Sequence, residues 1–270
     1  VEEAMLLANE CVAEFLADRD LVSAYRVHED PSPDSLASAA KTLTELGAVE
    51  GGLAAGIMLG DPRAINAAVE DAAGTAFAPQ VNALLLRAQQ RAVYKSHNEG
   101  HYALGARAYC HFTSPIRRYP DELGKKEALV RAPRLTGKGP QALEAICPQL
   151  CRQASDNERA ADAAANASQK VKVAQLYASR IGERDTGTVS WISDLGAFVR
   201  LDATGAEGLV RMNALGAEWW DFDDVRLTLT GESTGTRVGL GCRVVVEVAS
   251  VNVLRGHLDL KLLHVSGSAS

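Results

Sequence analysis

The chain has 270 residues, of which 47% are hydrophobic and 23% charged, and its formal net charge is −6 at pH 7. Length and composition suit one or two soluble globular domains, and no apolar run is long enough to span a membrane, so we expect no membrane partner. The acidic total gives no support for nucleic-acid binding, but it does not exclude it, because the local placement of positive charge decides such binding.

The cysteines indicate the cellular compartment, and the first residue indicates whether the chain is part of a longer protein. The five cysteines are scattered, and Cys147 and Cys151 lie four residues apart with no His or second Cys pair nearby. We therefore expect reduced thiols, a cytoplasmic protein and no zinc site. Val1 lies directly inside a helical pattern without a preceding Met. We expect the chain to be a portion of a longer protein.

Apolar periodicity predicts mainly helices through the first hundred residues. Glu2–Leu16 is amphipathic, and its early acids suit a helix N-terminus. The next elements predicted are an extended run at Ala24–His28, a helix capped by Asp34 and ending at Leu46, a loose glycine-rich segment at Gly51–Gly60, a helix from Pro62 to Ala73 and a helix from Ala83 to Tyr94.

The stretch His111–Asp121, here named the arginine turn, reads His-Phe-Thr-Ser-Pro-Ile-Arg-Arg-Tyr-Pro-Asp. Pro115 fixes its own φ and biases Ser114 towards an extended backbone, so the turn is expected to be stiff. Planar guanidinium groups of Arg117 and Arg118 suit phosphate contacts, and the tyrosine that follows offers a stacking face. An ordinary turn with solvated arginines is the alternative.

Positive charge continues beyond this turn. Residues 111–140 carry seven Lys and Arg against three Asp and Glu, a local excess of four. Leu123–Pro140 is predicted to be irregular, Gln141–Leu150 a short helix and Ser155–Tyr177 a long helix. The long helix carries a narrow seam that predicts packing on another helix and no ligand site; its residues are Ala160, Ala164, Ala167, Val171, Ala174 and Tyr177.

From Thr186 the helical period gives way to five short apolar runs separated by glycines and polar residues. This pattern predicts a small closed barrel of the OB type. The runs are Thr186–Ile192, Gly196–Leu201, Gly208–Arg211, Arg243–Val251 and His257–Leu262. We therefore place a domain boundary between residues 182 and 183.

Three motifs together resemble the bacterial RNase R/RNase II family. The first helix (Val1–Asn9) looks like that family's Glu-Glu-x-Met-x-x-Ala-Asn helix, Asn98–Leu104 looks like its Asn-x-Gly-His-Phe-x-Leu segment, and the arginine turn is similar to its most distinctive signature. All three occur in the family's order and at the expected separations, which is more specific than any one motif.

The barrel extends the resemblance to an S1-type RNA-binding domain. Gly187-Thr-Val, Gly196–Val199 and Gly208–Val210 carry it, while Trp219–Asp223 and Leu229–Gly235 are similar to the RNase R version. The resemblance implies an α+β chain, in which residues 1–182 are the mainly helical second half of an RNB catalytic domain. Residues 183–270 are then a five-stranded S1 barrel.

The resemblance implies a processive 3′-5′ exoribonuclease that hydrolyses RNA to nucleoside 5′-monophosphates with Mg²⁺ or Mn²⁺. The family's metal-binding aspartates lie in the first half of its catalytic domain, so the ligands are expected outside this chain and the chain alone is expected to be inactive. Asp221, Asp223 and Asp224 imitate an acidic cluster but lie in the barrel domain. The implied partners are single-stranded RNA and the remaining part of the same protein, with its cold-shock-type domains, in a monomer.

The motifs also imply roles for single residues. Arg117 matches the arginine that clamps the scissile phosphate, and Glu2 matches the acid that positions the 3′-terminal nucleotide; a favourable partner of the helix dipole is the alternative for Glu2. Further RNA contacts are implied at the turn, where backbone contact, structural support and satisfied core histidines are the alternatives. These residues are Ser114, Arg118, Tyr119, His101 and His111.

In the barrel, Phe198 matches the exposed aromatic residue on which a base stacks. Leu195 stands where the family usually has a second aromatic, and Arg211 stands where it often has His. Weaker stacking is therefore expected, offset in part by Arg211 through phosphate contact or guanidinium stacking. Trp191 is either a further stacking platform or a core residue.

One departure follows the arginine turn. The family continues after Tyr-x-Asp with Leu-x-x-His-Arg, which opens a helix, whereas Asp121 here runs into Glu122-Leu-Gly-Lys-Lys126. Either this helix has been lost, or residues between Asp121 and Glu122 are missing from the sequence. Two other functions remain open: a non-catalytic RNA-binding protein on the same scaffold, and a protein-interaction module that uses the long helix.

Overall fold

The structure is a computed structural model that describes residues 1–75, 77–122, 140–224 and 226–266. The chain forms two compact units. Residues 1–31 and 89–163 form the first, and residues 32–88 and 164–270 form the second. These units do not follow the predicted boundary between residues 182 and 183, which concerns sequence families and stays a prediction.

The first unit builds one helix against a two-stranded sheet. Helix α1 (Glu2–Ala17) packs beside strand β1 (Tyr25–Val27), which pairs antiparallel with β2 (Val93–Lys95). Helix and sheet share a small apolar core in which α1 contributes two fully buried side chains, Ala13 and Leu16. The predicted first helix and the extended run after it are confirmed.

Four helices open the second unit. They are α2 (Pro33–Glu45), α3 (Gly51–Met58), α4 (Pro62–Ala72) and α5 (Ala78–Ala88). Ser32, not Asp34, caps α2, because its hydroxyl accepts from the N–H of Ser35. Asp61 caps α4 in the same way through the N–H of Arg63.

Two predictions in this region are wrong. The glycine-rich segment, expected to be loose, forms helix α3. A Cβ on Gly56 would lie 2.5 Å from the Cβ of Ala64 in α4, so the close packing of the two helices requires a glycine at this position. The helix predicted at Ala83–Tyr94 is instead the end of α5 followed by β2. Tyr94 is held in the sheet, where its N–H donates to the Ser155 hydroxyl at 2.9 Å.

The barrel prediction is confirmed, and with it the α+β class. Its five strands are β3 (Arg184–Ser193), β4 (Gly196–Leu201), β5 (Glu207–Arg211), β9 (Arg243–Asn252) and β10 (His257–Ser266). They close in the order β10-β5-β4-β3-β9 around an apolar core. A second sheet, missed from the sequence, contains β6 (Trp220–Asp223), β7 (Thr228–Gly231) and β8 (Arg237–Gly239).

Gly196 is required where β4 begins beside β5. Its φ is +136°, and a Cβ there would lie 2.1 Å from the carbonyl oxygen of Val210. Side chains are excluded by both the backbone conformation and the close approach of the strands. This contact sets the position of Phe198, two residues further along β4.

Helix α6 runs from Pro140 to Tyr177 as one helix, so the predicted break between residues 150 and 155 is wrong. Within that interval the Ser155 hydroxyl donates to the carbonyl oxygen of Cys151 at 3.0 Å, which a continuous helix allows. The predicted irregular segment up to residue 139 lies outside the described residues. The alanine seam is also wrong in its first part, because all residues from 161 to 170 are exposed.

Only the end of the seam is buried. Ala174 and Tyr177 are buried, and Tyr177 is part of the barrel core, whereas the seam predicted packing on another helix. Small alanine side chains bury little apolar area, so their spacing alone gives weak support for packing.

Candidate functional site

Asn9 on α1 holds the strand that leads into the arginine turn. This side chain is 3% exposed; its Nδ2 donates to the Tyr109 hydroxyl at 2.9 Å, and its Oδ1 accepts from the N–H of Phe112 at 3.0 Å. Both bonds connect residues about a hundred positions apart. The asparagine of the first-helix motif therefore fixes the entry to the turn.

Asp121 closes the other end of the turn. Its carboxylate is fully buried, and Oδ1 accepts from the N–H of Ser114 at 2.7 Å. Between these residues the N–H of Arg117 donates to the carbonyl oxygen of Ser114 at 3.3 Å, and residues 119–122 are helical. The chain geometry around the turn is therefore set by internal hydrogen bonds.

The arginine side chains of this turn remain available. Arg117 is exposed and Arg118 half-buried, and neither guanidinium forms an ion pair or hydrogen bond within the part of the chain that the structure describes. Tyr119 is 54% exposed, and Ile116 is fully exposed. A fixed backbone thus presents cationic groups to solvent, an arrangement suited to binding an anion.

Behind the turn, six rings make a continuous series of contacts, here named the ring cluster. Neighbouring ring centroids are 5.1–6.1 Å apart; His28 is stacked on both His101 and Tyr102, and the other three pairs make edge contacts. In spatial order its members are Tyr94, His111, Tyr109, His101, His28 and Tyr102. In this cluster the two predicted histidines, His101 and His111, are packed against other rings, and His111 is the first residue of the arginine turn.

Burial and nearby positive charge favour a neutral His111. Its Nδ1 lies 2.7 Å from the Tyr94 hydroxyl. Burial lowers the pKa of His111 to about 3, and the positive charges of Arg118 and Arg26 add to this effect. The ring therefore supports the turn as an uncharged group at neutral pH, so it adds no positive charge for phosphate binding.

His101 behaves in the same way. Burial first, and then the neighbouring His28 and Arg26, lower the pKa of His101 to about 4. Arg26 is itself anchored: its Nη1 lies 2.6 Å from Glu158 Oε2, and its guanidinium lies 4.7 Å from the centre of the Tyr94 ring. Its charge is thus fixed close to the ring cluster.

These lowered pKa values predict that acid destabilises the fold. In the unfolded chain both histidines bind protons near their ordinary pKa of 6.5, whereas the folded forms resist protonation down to about pH 4 for His101 and pH 3 for His111. The free energy of unfolding should therefore fall as the pH drops below about 6.5. Urea denaturation at pH 7 and pH 5 measures this fall, which should be smaller in His111→Gln.

His97→Gln is the matched control, because His97 is exposed and lies outside the ring cluster. This variant should keep the full dependence of the wild type on pH. An equal dependence in His111→Gln and wild type would show that His111 is not the buried neutral group described here.

Glu2 stands in the exposed first turn of α1. No ion pair or hydrogen bond of its carboxylate occurs among the described residues. The role of Glu2 therefore stays a prediction.

A groove of about 640 Å³ on the barrel contains the other predicted contacts. Phe198, Leu195 and Arg211 line it together with Leu209, the neighbour of Phe198 on β5. Phe198 is half-buried, so part of its ring faces the groove. Arg211 is partly occupied, because its Nε donates to Asp259 Oδ1 at 3.1 Å.

Trp191 lies opposite Phe198 in the β3–β4 register but lines a different cavity, of about 480 Å³. The guanidinium of Arg87 covers its ring at 4.6 Å from the ring centre, and the ring packs against the barrel core. Trp191 therefore does not line the groove that contains Phe198 and Arg211.

The described residues do not fit a divalent metal. They contain no group of three or more His, Cys, Asp or Glu side chains that could hold an ion. Asp223 instead accepts from the N–H of Arg226 at 2.8 Å. Within the described ranges, no helix has the length and apolarity that crossing a bilayer would need.

Comparison with known proteins connects these features. Residues 1–125 match the family model of the RNB domain, and residues 179–262 match that of the S1 RNA binding domain. Ribonuclease R of Escherichia coli strain K12 is 33% identical over 273 residues, which cover 97% of this chain and 33% of that protein. Along nearly its whole length the chain is similar to ribonuclease R. Ribonuclease R of Thermotoga maritima is 31% identical over 266 residues, covering 97% of this chain and 37% of that protein.

The chain thus spans about a third of the length of the curated ribonuclease R proteins it matches. Solved structures show the same fold. A Mycoplasma genitalium RNase R in complex with ribose methylated single-stranded RNA has a TM-score of 0.81 at 24% identity, covering 97% of this chain and 41% of that chain. Yeast Ssd1, described as a pseudonuclease, has a TM-score of 0.61 at 22% identity, covering 84% and 28%.

Proposed function

We propose that the chain is part of a processive 3′-5′ exoribonuclease that hydrolyses RNA to nucleoside 5′-monophosphates. One observation carries the proposal: the arginine turn presents Arg117 and Arg118, which have no ion pair or hydrogen bond among the described residues, on a backbone held by Asn9 and Asp121. Unpaired guanidinium groups on a fixed turn can bind a phosphate without first breaking internal ion pairs.

Arg117 is the residue that contacts the scissile phosphate in this proposal. A planar guanidinium donates two parallel hydrogen bonds to phosphate oxygens, and its charge stabilises negative charge that develops as the bond to the leaving nucleotide breaks. Arg118 contacts a neighbouring backbone position, and Tyr119 offers a face to a base. Neutral His111 positions the turn from behind.

The remaining predicted residues position the RNA strand. Glu2 positions the 3′-terminal nucleotide, and Phe198 stacks on a base in the barrel groove while Arg211 approaches the backbone. Contacts of this kind do not read base edges, so degradation is largely independent of sequence.

Mg²⁺ or Mn²⁺ remains part of the proposal, although the described residues do not fit such an ion. We place its ligands in the aspartate-bearing first half of the catalytic domain, outside this chain. That half, cold-shock-type domains of the same protein and single-stranded RNA are the proposed partners. A monomeric cytoplasmic enzyme fits this set.

The test compares this chain with a joined protein, in which the aspartate-bearing half of an RNB domain precedes the same 270 residues. The chain alone should bind labelled single-stranded RNA, with log K falling by roughly 0.7 per phosphate contact for each unit of log salt concentration. It should hydrolyse no RNA with Mg²⁺. The joined protein should both bind and hydrolyse it.

Each failure has a distinct meaning. Hydrolysis by the chain alone would overturn the placement of the metal site. Absence of salt-dependent RNA binding would refute an RNA-directed function and favour a protein-interaction module. A folded joined protein that binds RNA without hydrolysing it would support the non-catalytic RNA-binding alternative.

A further inference from the structure

One side of the barrel groove is formed by helix α6 and not by a strand. Four α6 side chains line this side, at the spacing i, i+3, i+4 and i+7 of a single helix face. They are Asn166, Gln169, Lys170 and Val173. Amide groups and an ammonium group therefore line the same groove as Phe198 and Leu195.

This wall is fixed to the barrel by close contacts. The turn between β9 and β10 approaches the helix so closely that a Cβ on Gly256 would lie 2.8 Å from the Cβ of Lys170. Seven residues further along α6, the Tyr177 hydroxyl lies 2.8 Å from the hydroxyl of Thr204. Val173 packs against the barrel core. The wall is thus part of the same folded unit as the groove.

The charges in the groove distinguish Lys170 from Arg211. Asp259 pairs with Arg211, and it also accepts from the Ser250 hydroxyl at 3.1 Å. A second acid, Glu207, adds negative charge to the lining and accepts from the Ser190 hydroxyl at 2.8 Å. A nucleic-acid backbone that enters the groove would therefore meet Arg211 with its charge already paired with that of Asp259.

Lys170 has no such compensation. Its side chain is exposed, and across the described ranges its ammonium group has no carboxylate partner. The flexible lysine stem can reach a phosphate at several positions, and an unpaired ammonium group contributes its full charge to that contact. A lysine at this position in the groove therefore suits contact with the phosphate backbone of single-stranded RNA.

We propose that α6 forms the second wall of the RNA groove, with Lys170 contacting the phosphate next to the nucleotide that stacks on Phe198. Asn166 and Gln169 offer amide hydrogen bonds to the sugar and base edges of that nucleotide. This inference rests on the proposed RNA-directed function. It names a helix contact that the resemblance to the family did not assign.

The test uses Lys170→Gln in the full 270-residue chain, with Lys172→Gln as a matched control. Lys172 lies on the same helix and is exposed, but it does not line the groove, and its ammonium donates to Gln175 Oε1 at 3.2 Å. Both variants lose one positive charge. Binding of a fluorescent single-stranded oligouridine is measured at several salt concentrations, and thermal unfolding confirms that each variant is folded.

Lys170→Gln should weaken binding about fivefold at low salt and reduce the salt slope by roughly 0.7. Lys172→Gln should leave both quantities near those of the wild type. Equal effects of the two substitutions, or no effect of either on a wild type that binds RNA, would overturn the proposed wall while leaving the proposed function intact. Failure of the wild type itself to bind would refute the proposed function.

Discussion

Replacing Arg117 by Ala in the joined protein is expected to lower kcat about 100- to 1000-fold, the range seen when one group that stabilises transition-state charge is removed. Affinity for single-stranded RNA should change by less than about threefold, because many other phosphate contacts remain. The reason for this difference is that the Arg117 guanidinium is exposed and has no ion pair or hydrogen bond among the described residues, on a turn that Asp121 holds in place. Single-turnover hydrolysis and equilibrium binding of the same RNA measure the two effects separately.

Two variants at the turn sharpen this prediction. Arg117→Lys keeps the charge but loses the planar pair of donors, so its kcat should lie between those of the wild type and Arg117→Ala. Ile116→Ala changes the fully exposed neighbour on the same turn and should leave kcat unchanged. Wild-type kcat in Arg117→Ala would remove Arg117 from the proposed chemistry.

Asn9→Ala is expected to give the largest loss of stability, about 2–4 kcal/mol in the free energy of unfolding. The change removes the Asn9 partner of the buried Tyr109 hydroxyl and of the part-buried Phe112 N–H, and the loss of such a partner costs about 1–3 kcal/mol per buried group. Urea denaturation at pH 7 measures the loss.

Asn98→Ala is the matched control for this substitution. Asn98 also makes two hydrogen bonds, to the carbonyl oxygen of Arg107 and from the N–H of Gly100, but both lie at a more exposed loop. Water can replace them, so the loss should stay near 1 kcal/mol or below. Similar losses in the two variants would contradict the view that Asn9 is the buried brace of the turn.

The barrel was predictable because its five strands leave local patterns. Short apolar runs alternate with glycines, and each run corresponds to a strand of the closed barrel. The second sheet was missed since Trp220–Asp223 mixes acids with aromatics and its neighbouring strands have only three or four residues. Helix α3 was missed because glycine disfavours helices, whereas contact with Ala64 requires Gly56 there.

The candidate site was likewise only partly predictable from the sequence. Proline and the paired arginines made the stiff, cationic turn visible in the sequence, and the structure places Phe198 and Arg211 in one groove. Asn9 and Asp121 escaped notice as braces, because hydrogen bonds across long separations leave no local pattern. The alanine seam indicated one face of α6, while the polar face that lines the groove was overlooked.

The product pattern of the joined protein on a 5′-labelled single-stranded RNA with Mg²⁺ tests the proposed 3′-5′ exoribonuclease most directly. Nucleoside 5′-monophosphates should be released from the first time points, while the labelled RNA shortens from its 3′ end without accumulated intermediates of middle length. Arg117→Ala should slow this pattern without changing the products. Internal cuts, nucleoside 3′-monophosphates or shortening from the 5′ end would contradict it.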